Sequence, residues 1–461
     1  MITLSESDLV LTFFINKTMI SIKLNEKYEK TLQFLLIITT YVMIVLRFLL
    51  NEKGRTNPDS IRYMRQSEIF PIIDNTTAPL GYPLFIKFFT YFGIDEFWSS
   101  KLIGILAYTF LLFFAYKKRF FFKELLIASA LFSFVSIFSF TMSEALTLPF
   151  VILLFYVANQ ILNNKISTKS GIFYLSLILI LLINIRYSAL FLCFGTLFFG
   201  LLNYKKSYWK SFVISGIIGI VFYGLYKLLF IDYFNENYVN NFLEIGLKPT
   251  STLLLELFQG LATTFDPFVH IADPNGGIIN YGIYGIGVVT IIGMVIIFIK
   301  TKLSETERFI LIVSLISIIC SYFVQYVYSV NPIDYRLLAP FSIGIWLVFF
   351  RKLFQIFDSL TYSIAFLSLM TGFAFTWLSK GSYLENRKEI SHFLEKENMK
   401  EKTLKFYIKD DASEEIQTAE LISTVNPKIY VTFQPKDTLQ KSVLTRHRVE
   451  SKMKIKKNNY Q

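Results

Sequence analysis

The chain of 461 residues is 53% hydrophobic and 17% charged, with mean hydropathy +0.48 and a formal net charge of +12. A soluble protein of this length carries roughly a quarter of its residues as charges. An ordinary soluble enzyme is therefore excluded, and a polytopic membrane protein is indicated.

Residues 1–30 form a polar leader containing Lys17, Lys23, Lys27 and Lys30. No cleavable signal is evident, so the first apolar run, from Thr31, is expected to act as an uncleaved anchor behind a cytoplasmic N-terminus. About 20 apolar residues cross a bilayer core as a helix. By that measure 31–50, 98–116, 123–141, 144–162, 171–185, 188–203, 211–231, 279–299, 308–328, 337–352 and 360–378 read as spans. That is roughly eleven crossings, with 171–203 alternatively one long tilted helix. The transmembrane module is thus 31–378, with outer loops 51–97 and 232–278. Within those loops, 80–92 carries Lys87 and reads as an interfacial helix, and 252–265 as an amphipathic helix resting on the membrane surface. In the tail, 379–461, strand-like runs at 404–409 and 428–434 flank a helical run at 414–425. They form a small α/β unit, followed from Lys441 by a basic end expected to be disordered. The expected fold is an all-α polytopic membrane protein with a small C-terminal α/β extramembrane domain.

Composition fits that placement. Phe (49) and Tyr (27) suit lipid-facing surfaces and interfacial belts. Cys193 and Cys320 fall in apolar runs, which argues against a disulfide framework, and His270, His392 and His447 are too scattered for a multi-histidine metal centre. With the N-terminus inside, Lys117, Lys118, Arg119, Lys123, Lys165, Lys169, Lys205, Lys206, Lys210, Lys300, Lys302, Arg308, Arg351 and Lys352 all fall in cytoplasmic loops. This is the positive-inside pattern of a multi-pass protein of the cell (inner) membrane, and it argues against a nucleic-acid partner. The tail then lies outside. Arg55, Arg62, Arg65, Arg186 and Arg336 are outer arginines that run against the bias, so a local electrostatic task is expected of them.

The chemistry-bearing residues border the spans. Asn57-Pro58-Asp59 reads as a helix start, with Asn as N-cap, Pro at the first helical position and Asp in the first turn. Such an Asp is ordinarily a complement to the helix dipole. Yet the helix sets Asp59, Arg62, Tyr63 and Gln66 on one face at i, i+3, i+4 and i+7. Ser143-Glu144 opens another span and has the same two readings, capping or function. Arg186-Tyr187 interrupts an apolar run, and an ionisable group there is functional by default unless it snorkels to headgroups. Asp334-Tyr335-Arg336 sits between later spans; Arg suits phosphate through its planar fork, and a local Asp334–Arg336 pair is the bland alternative. Asp266, His270 and Asp273 form a weak metal pattern broken by Pro267, Pro274 and Gly276-Gly277. Asp74 either contributes to the site or starts a turn. Neither a Walker-type loop nor a G-x-S-x-G elbow occurs.

Together these motifs resemble the GT-C glycosyltransferase superfamily, specifically bacterial relatives of protein O-mannosyltransferases and of the lipid A aminoarabinose transferase. The likeness rests on PDSIRY with Asp59 and Tyr63, APLGYPLF with Tyr82, the Arg186-Tyr187 pair, and YRLLAP with Tyr335 and Arg336, in order across 31–378. The resemblance implies transfer of a sugar from a polyprenyl-phosphate donor at the bilayer's extracytoplasmic face to a lipid, glycan or protein acceptor. It implies Asp59 as the principal catalytic carboxylate; the implied chemistry in turn leads to the expectation of Asp59 as base with Glu144 assisting, Arg186, Arg336 and Arg62 on the donor phosphate, and Tyr63, Tyr82, Tyr187 and Tyr335 positioning substrate. A divalent metal, Mg or Mn, is left open, with Asp59 and Glu144 as its candidate ligands. The mannosyltransferases commonly carry an adjacent Asp-Glu pair; here Ser60 follows Asp59. The rival expectations are a lipid-sugar transporter or flippase, which places ionisable groups near the midplane, and an O-antigen-type polymerase or ligase, which relies on a larger outer loop.

Overall fold

A computed structural model describes residues 25–74, 76–234, 249–272, 277–327, 333–409, 414–440, 443–453 and 455. Most of the expected leader, Asp273 and most of the basic end after Lys452 lie outside the described residues. Among those described, nine helices are long and apolar enough to cross a membrane. They are α1 (Glu26–Leu49), α4 (Glu96–Lys118), α7 (Ser143–Leu162), α8 (Thr168–Ile185), α10 (Trp209–Phe234), α12 (Ile278–Lys300), α13 (Glu305–Val327), α14 (Tyr335–Phe357) and α15 (Ser359–Leu378).

Two of the expected spans are shorter than that measure. The run 123–141 divides into α5 (Phe122–Ala130) and α6 (Phe132–Phe138). At the break, Leu131 is extended and the Phe132 N–H donates to Ser368 Oγ of α15 at 2.8 Å instead of to its own helix. The second, Tyr187–Leu202, is a turn of 3-10 helix leading into α9 (Leu190–Leu202). Both pieces are still buried in the main core, with Leu125, Leu126, Val135, Leu192 and Cys193 at 0% exposure.

Charge sorts to the two ends of this bundle. At one end Glu29 holds Lys123 at 2.5 Å, Glu307 holds Lys352 at 2.9 Å and Arg351 at 3.4 Å, and Tyr208 donates to Glu305 at 3.1 Å. These are the loops read as basic. At the other end lie α2 (Pro58–Ile69), α3 (Gly81–Thr90) and the tail. α3, the run read as an interfacial helix, exposes Leu84, Phe85 and Phe88 and buries Tyr82 and Ile86.

The helix expected on the surface at 252–265 goes inward. α11 (Thr250–Thr264) keeps Leu254, Leu255 and Phe258 exposed, but Gly260, Ala262, Thr263 and Thr264 are buried. Phe265 meets Trp346 with ring centroids 5.9 Å apart. Trp346 stands about 16 Å along α14 at 1.5 Å per residue, so the end of α11 reaches the interior. Gly287 of α12 permits this, since a Cβ there would overlap the Ala262 carbonyl.

The tail comprises α16 (Tyr383–Lys396), β1 (Leu404–Tyr407), α17 (Glu414–Ser423), β2 (Ile429–Thr432), β3 (Val443–Leu444) and α18 (Arg446–Glu450). The strands form an all-parallel sheet in the order β2-β1-β3. α17 makes the β1-to-β2 crossover that parallel pairing requires. The third strand, two residues long, was not foreseen, being too short to show a period. Phe406, Ile422 and Ile429 of the tail share one core with Ile61 and Met64 of α2 and Phe97 of α4. Polar ties fasten the same joint: Lys53 pairs with Glu420, Arg387 with Asp95 at 2.5 Å, and Asn386 Nδ2 donates to the Glu52 carbonyl at 3.1 Å. The tail therefore sits at the end of the bundle that carries 51–97.

Candidate active site

α2 opens with a capping box. Asn57 Oδ1 accepts the Ser60 N–H and Ser60 Oγ accepts the Asn57 N–H, each at 3.0 Å. Capping is thus complete without Asp59, whose carboxylate is left free to project from the first turn. The Ser60 hydroxyl also reaches the Thr141 carbonyl at 2.8 Å, fixing α2 beside the start of α7. Ser60, the residue after Asp59, is thus a structural cap.

Glu144, in the first turn of α7, is completely buried. Its Oε1 lies 2.9 Å from Arg186 Nη1 and 3.6 Å from Arg336 Nε. Arg186 ends α8 in an extended conformation that turns the chain toward α9, and its Nε donates to Ser188 Oγ at 2.8 Å. Arg336 sits in the first turn of α14, where Asp334 caps through the N–H groups of Arg336 and Leu337, both at 3.1 Å. Asp334 serves as the cap. The Arg336 guanidinium turns instead to Glu144 and, at 3.9 Å, to Asp59 Oδ2. Arg62 completes the set, 3.4 Å from Asp59 Oδ1.

Four distant stretches of sequence thus meet. Asp59, Arg62, Tyr63, Glu144, Arg186 and Tyr187 line a cavity of about 180 Å³ at the tail-bearing end, with Thr77, Ala78, Pro79, Met142, Ser188 and Leu337 completing its wall. Arg336 bridges the two carboxylates at its margin. Three guanidiniums against two carboxylates leave a net positive charge, which favours an anionic ligand.

The tyrosines divide. Tyr63 stands in the wall with its hydroxyl 3.1 Å from Ser143 Oγ, and burial, with Glu144 and Asp59 adding, pushes its phenol up. It remains a protonated donor. Tyr187 also lines the cavity and donates to the Thr76 carbonyl at 2.9 Å. Tyr82 does not line it; it is buried behind Tyr63, ring centroids 5.0 Å apart. Tyr335 turns the other way, toward His270 at 4.0 Å between centroids and Arg55 Nη2 at 3.5 Å.

Away from the cavity wall, Arg55, which touches Tyr335, belongs to a group of cations of which the sequence singled out only Arg55. Gly54 and Arg55 both have left-handed φ, +65° and +60°, which turns Arg55 inward onto the face of Phe140 at 4.0 Å. Arg47 is buried against Ser136 Oγ and Thr376 Oγ1 at 3.3 and 3.4 Å. Lys101 donates to the carbonyls of Arg55 and Ser139 at 3.3 and 2.9 Å and to Thr141 Oγ1 at 2.9 Å. Both Arg47 and Lys101 lie inside apolar spans, and a charge in such a place was the signal that could have found them.

Other candidates fall away from the cavity. Asp266 Oδ1 accepts the N–H groups of Phe268 and Val269 at 2.7 and 2.9 Å, holding a turn. His270 is packed between Phe132 and Tyr335. Asp74 pairs with Arg65 at 2.6 Å. Among the described residues no group of three or more His, Cys, Asp or Glu could hold a metal ion. Asp59 and Glu144 do not fit Mg or Mn either, because the Arg336 guanidinium bridges them and Arg186 presses on Glu144. A dication there would face two fixed positive charges. No protein-family model matches this chain, and no curated protein matches it.

Proposed function

We propose that the protein is an inverting membrane glycosyltransferase that takes sugar from a polyprenyl-phosphate donor on the extracytoplasmic side of the cell membrane. The reading rests on one observation: the carboxylate of Asp59, not engaged in helix capping, shares a small net-positive cavity with Arg62, Arg186 and the bridging Arg336, at the end of the bundle opposite the basic loops.

The chemistry follows from that pairing. The acceptor hydroxyl oxygen attacks the anomeric carbon from the face opposite the phosphate, and its proton passes to the Asp59 carboxylate. As the new C–O bond forms, the bond to the phosphate oxygen breaks and the electron pair leaves with the polyprenyl phosphate. One displacement inverts the anomeric centre. General-base help of this kind contributes roughly 10²–10⁴-fold. Arg62, Arg186 and Arg336 face the charge that develops on the leaving phosphate, in a site where fixed donors need little reorganisation. Glu144 is a positioning residue: wholly buried, it holds Arg186 and Arg336 apart and aimed. Tyr63, which stays protonated, offers a hydrogen bond to a sugar hydroxyl.

The test is incubation of the purified protein with a panel of polyprenyl-phosphate sugars, scored for donor cleavage and product. Asp59→Asn is expected to lose at least about 10²-fold in turnover while inserting and folding as the parent does. Near-normal turnover in that variant would refute the assignment, and no cleavage of any donor by the parent protein would refute the reaction class.

A further inference from the structure

Arg47, Arg55 and Lys101 gather positive charge inside the tail-bearing end of the bundle, and the acceptors that meet them are neutral. Lys101 spends its donors on two carbonyls and on Thr141 Oγ1. Arg47 bonds to the hydroxyls of Ser136 and Thr376, and Arg55 to that of Tyr335. The carboxylates of Asp59 and Glu144 are held by Arg62, Arg186 and Arg336 instead. Asp266 uses one oxygen in its turn, and the other has no hydrogen-bond partner among the described residues. Charge buried without a counter-charge is costly, and ionisable groups at membrane depth mark a binding site by default. Unused donors gather at one place. Arg47 lies over the Phe132 ring at 4.7 Å, and His270 meets the same ring at 4.5 Å between centroids. His270 also packs on Tyr335, whose hydroxyl faces Arg55. Both His270 nitrogens and the Arg55 Nε are buried with no hydrogen-bond partner among the described residues, and His270 is 2% exposed. A guanidinium has more N–H donors than these contacts occupy.

We propose that Arg47, Arg55 and His270 bind a small monovalent anion, chloride in ordinary media, between α1, the turn before α2 and the segment that follows α11. Water at that place would satisfy hydrogen bonds but would leave the charge uncompensated. The enclosure sets the size. Arg47 is 6% exposed, and the rings of Phe132 and Phe140 cover the two guanidiniums. A phosphate or sulfate brings several more oxygens that each need a donor, and phenyl rings supply none. A single halide needs little more space than a water and can accept from two guanidiniums and an imidazole N–H together. Guanidinium is weakly hydrated, so it is matched to an anion that gives up its water readily, chloride or bromide rather than fluoride. Lys101 has no donor to spare and adds its field from behind the Arg55 carbonyl. The bound anion would tie α1 to Tyr335 of α14 and to the segment carrying His270. This site does not depend on the sugar-transfer reading, and either can fail without the other.

The test is thermal unfolding of the full-length protein in detergent at fixed ionic strength, with sodium chloride exchanged for bromide, fluoride or gluconate. A ligand that binds the folded state raises its melting temperature by mass action. Chloride and bromide are expected to raise Tm along a saturating curve, with fluoride and gluconate giving little rise. Arg47→Met keeps an apolar stem and removes the charge, so its half-saturating chloride concentration should be at least about tenfold higher. Lys388→Met, at an exposed position of the tail, should respond as the parent does. A parent Tm equal in chloride and gluconate, or an equal rise with every anion, overturns the proposal. So does an undiminished response in Arg47→Met. Should that variant fail to fold, crystals of the parent soaked in bromide decide the matter. An anomalous peak within hydrogen-bond distance of the Arg47 and Arg55 guanidiniums supports the site, and no bromide there overturns it.

Discussion

Glu144 shows what the site demands of single residues. Its carboxylate is completely buried and is held by Arg186 and Arg336. Removing one member of a buried ion pair leaves the other charged and unpaired, at a cost of about 3–5 kcal/mol. Glu144→Gln, which keeps the shape, is therefore expected to destabilise the protein by about that much in denaturation of the detergent-solubilised chain. Arg186→Met added to it should recover part of the loss. A double-mutant cycle with a coupling of at least about 1 kcal/mol would show that the pair acts as a unit, and additive losses would show that it does not. Arg186 was legible because it breaks an apolar run, Arg336 because it is an outer arginine against the loop bias, and Asp59 because it heads a polar helix face with Arg62, Tyr63 and Gln66. Arg62, at i+3, was legible as a neighbour of Asp59, but the meeting of Arg186 and Arg336 on Glu144 was not, since it depends on which ends of the bundle meet. Asp334 shows the gap: beside Arg336 in sequence it reads as an ion-pair partner, and in the fold it caps a helix.

At the scale of elements, the site depends on how closely α3 approaches the end of α8. Gly81 opens α3, and a Cβ there would overlap the Asn184 carbonyl, two residues before Arg186. Gly81→Ala must push α3 and the end of α8 apart, so it is expected to cost about 1–3 kcal/mol as overpacking and to weaken donor binding through displacement of Arg186. A variant as stable as the parent with unchanged KM for the donor would show that this close contact does not set the site. The long apolar spans were readable from length and hydropathy. The break at Leu131 was not, because it depends on Ser368, 236 positions away, taking the Phe132 N–H. The inward path of α11 was hidden for a similar reason: its exposed Leu254, Leu255 and Phe258 give the pattern of a surface helix, while its other end is buried by packing against α12 and α14.

For the whole molecule, the separation of charge between the two ends carries an orientation. One end gathers Lys123, Lys205, Lys206, Arg351 and Lys352, while the other holds the candidate site and the tail. The orientation proposed above puts the first end inside, in line with the bias of cytoplasmic loops toward Lys and Arg. That proposal sets the tail outside the membrane, beside the cavity. Exposed positions make this measurable: Lys205 and Lys388 both face water in the fold, whereas the native Cys193 is buried and Cys320 is partly so. In intact cells an impermeant maleimide is expected to label Lys388→Cys at once and Lys205→Cys only after the membrane is opened. The reverse pattern would place the cavity in the cytoplasm, where the outer-leaflet donor proposed for it does not reach. Labelling of both without permeabilisation would mean that the two ends are not separated by a bilayer at all.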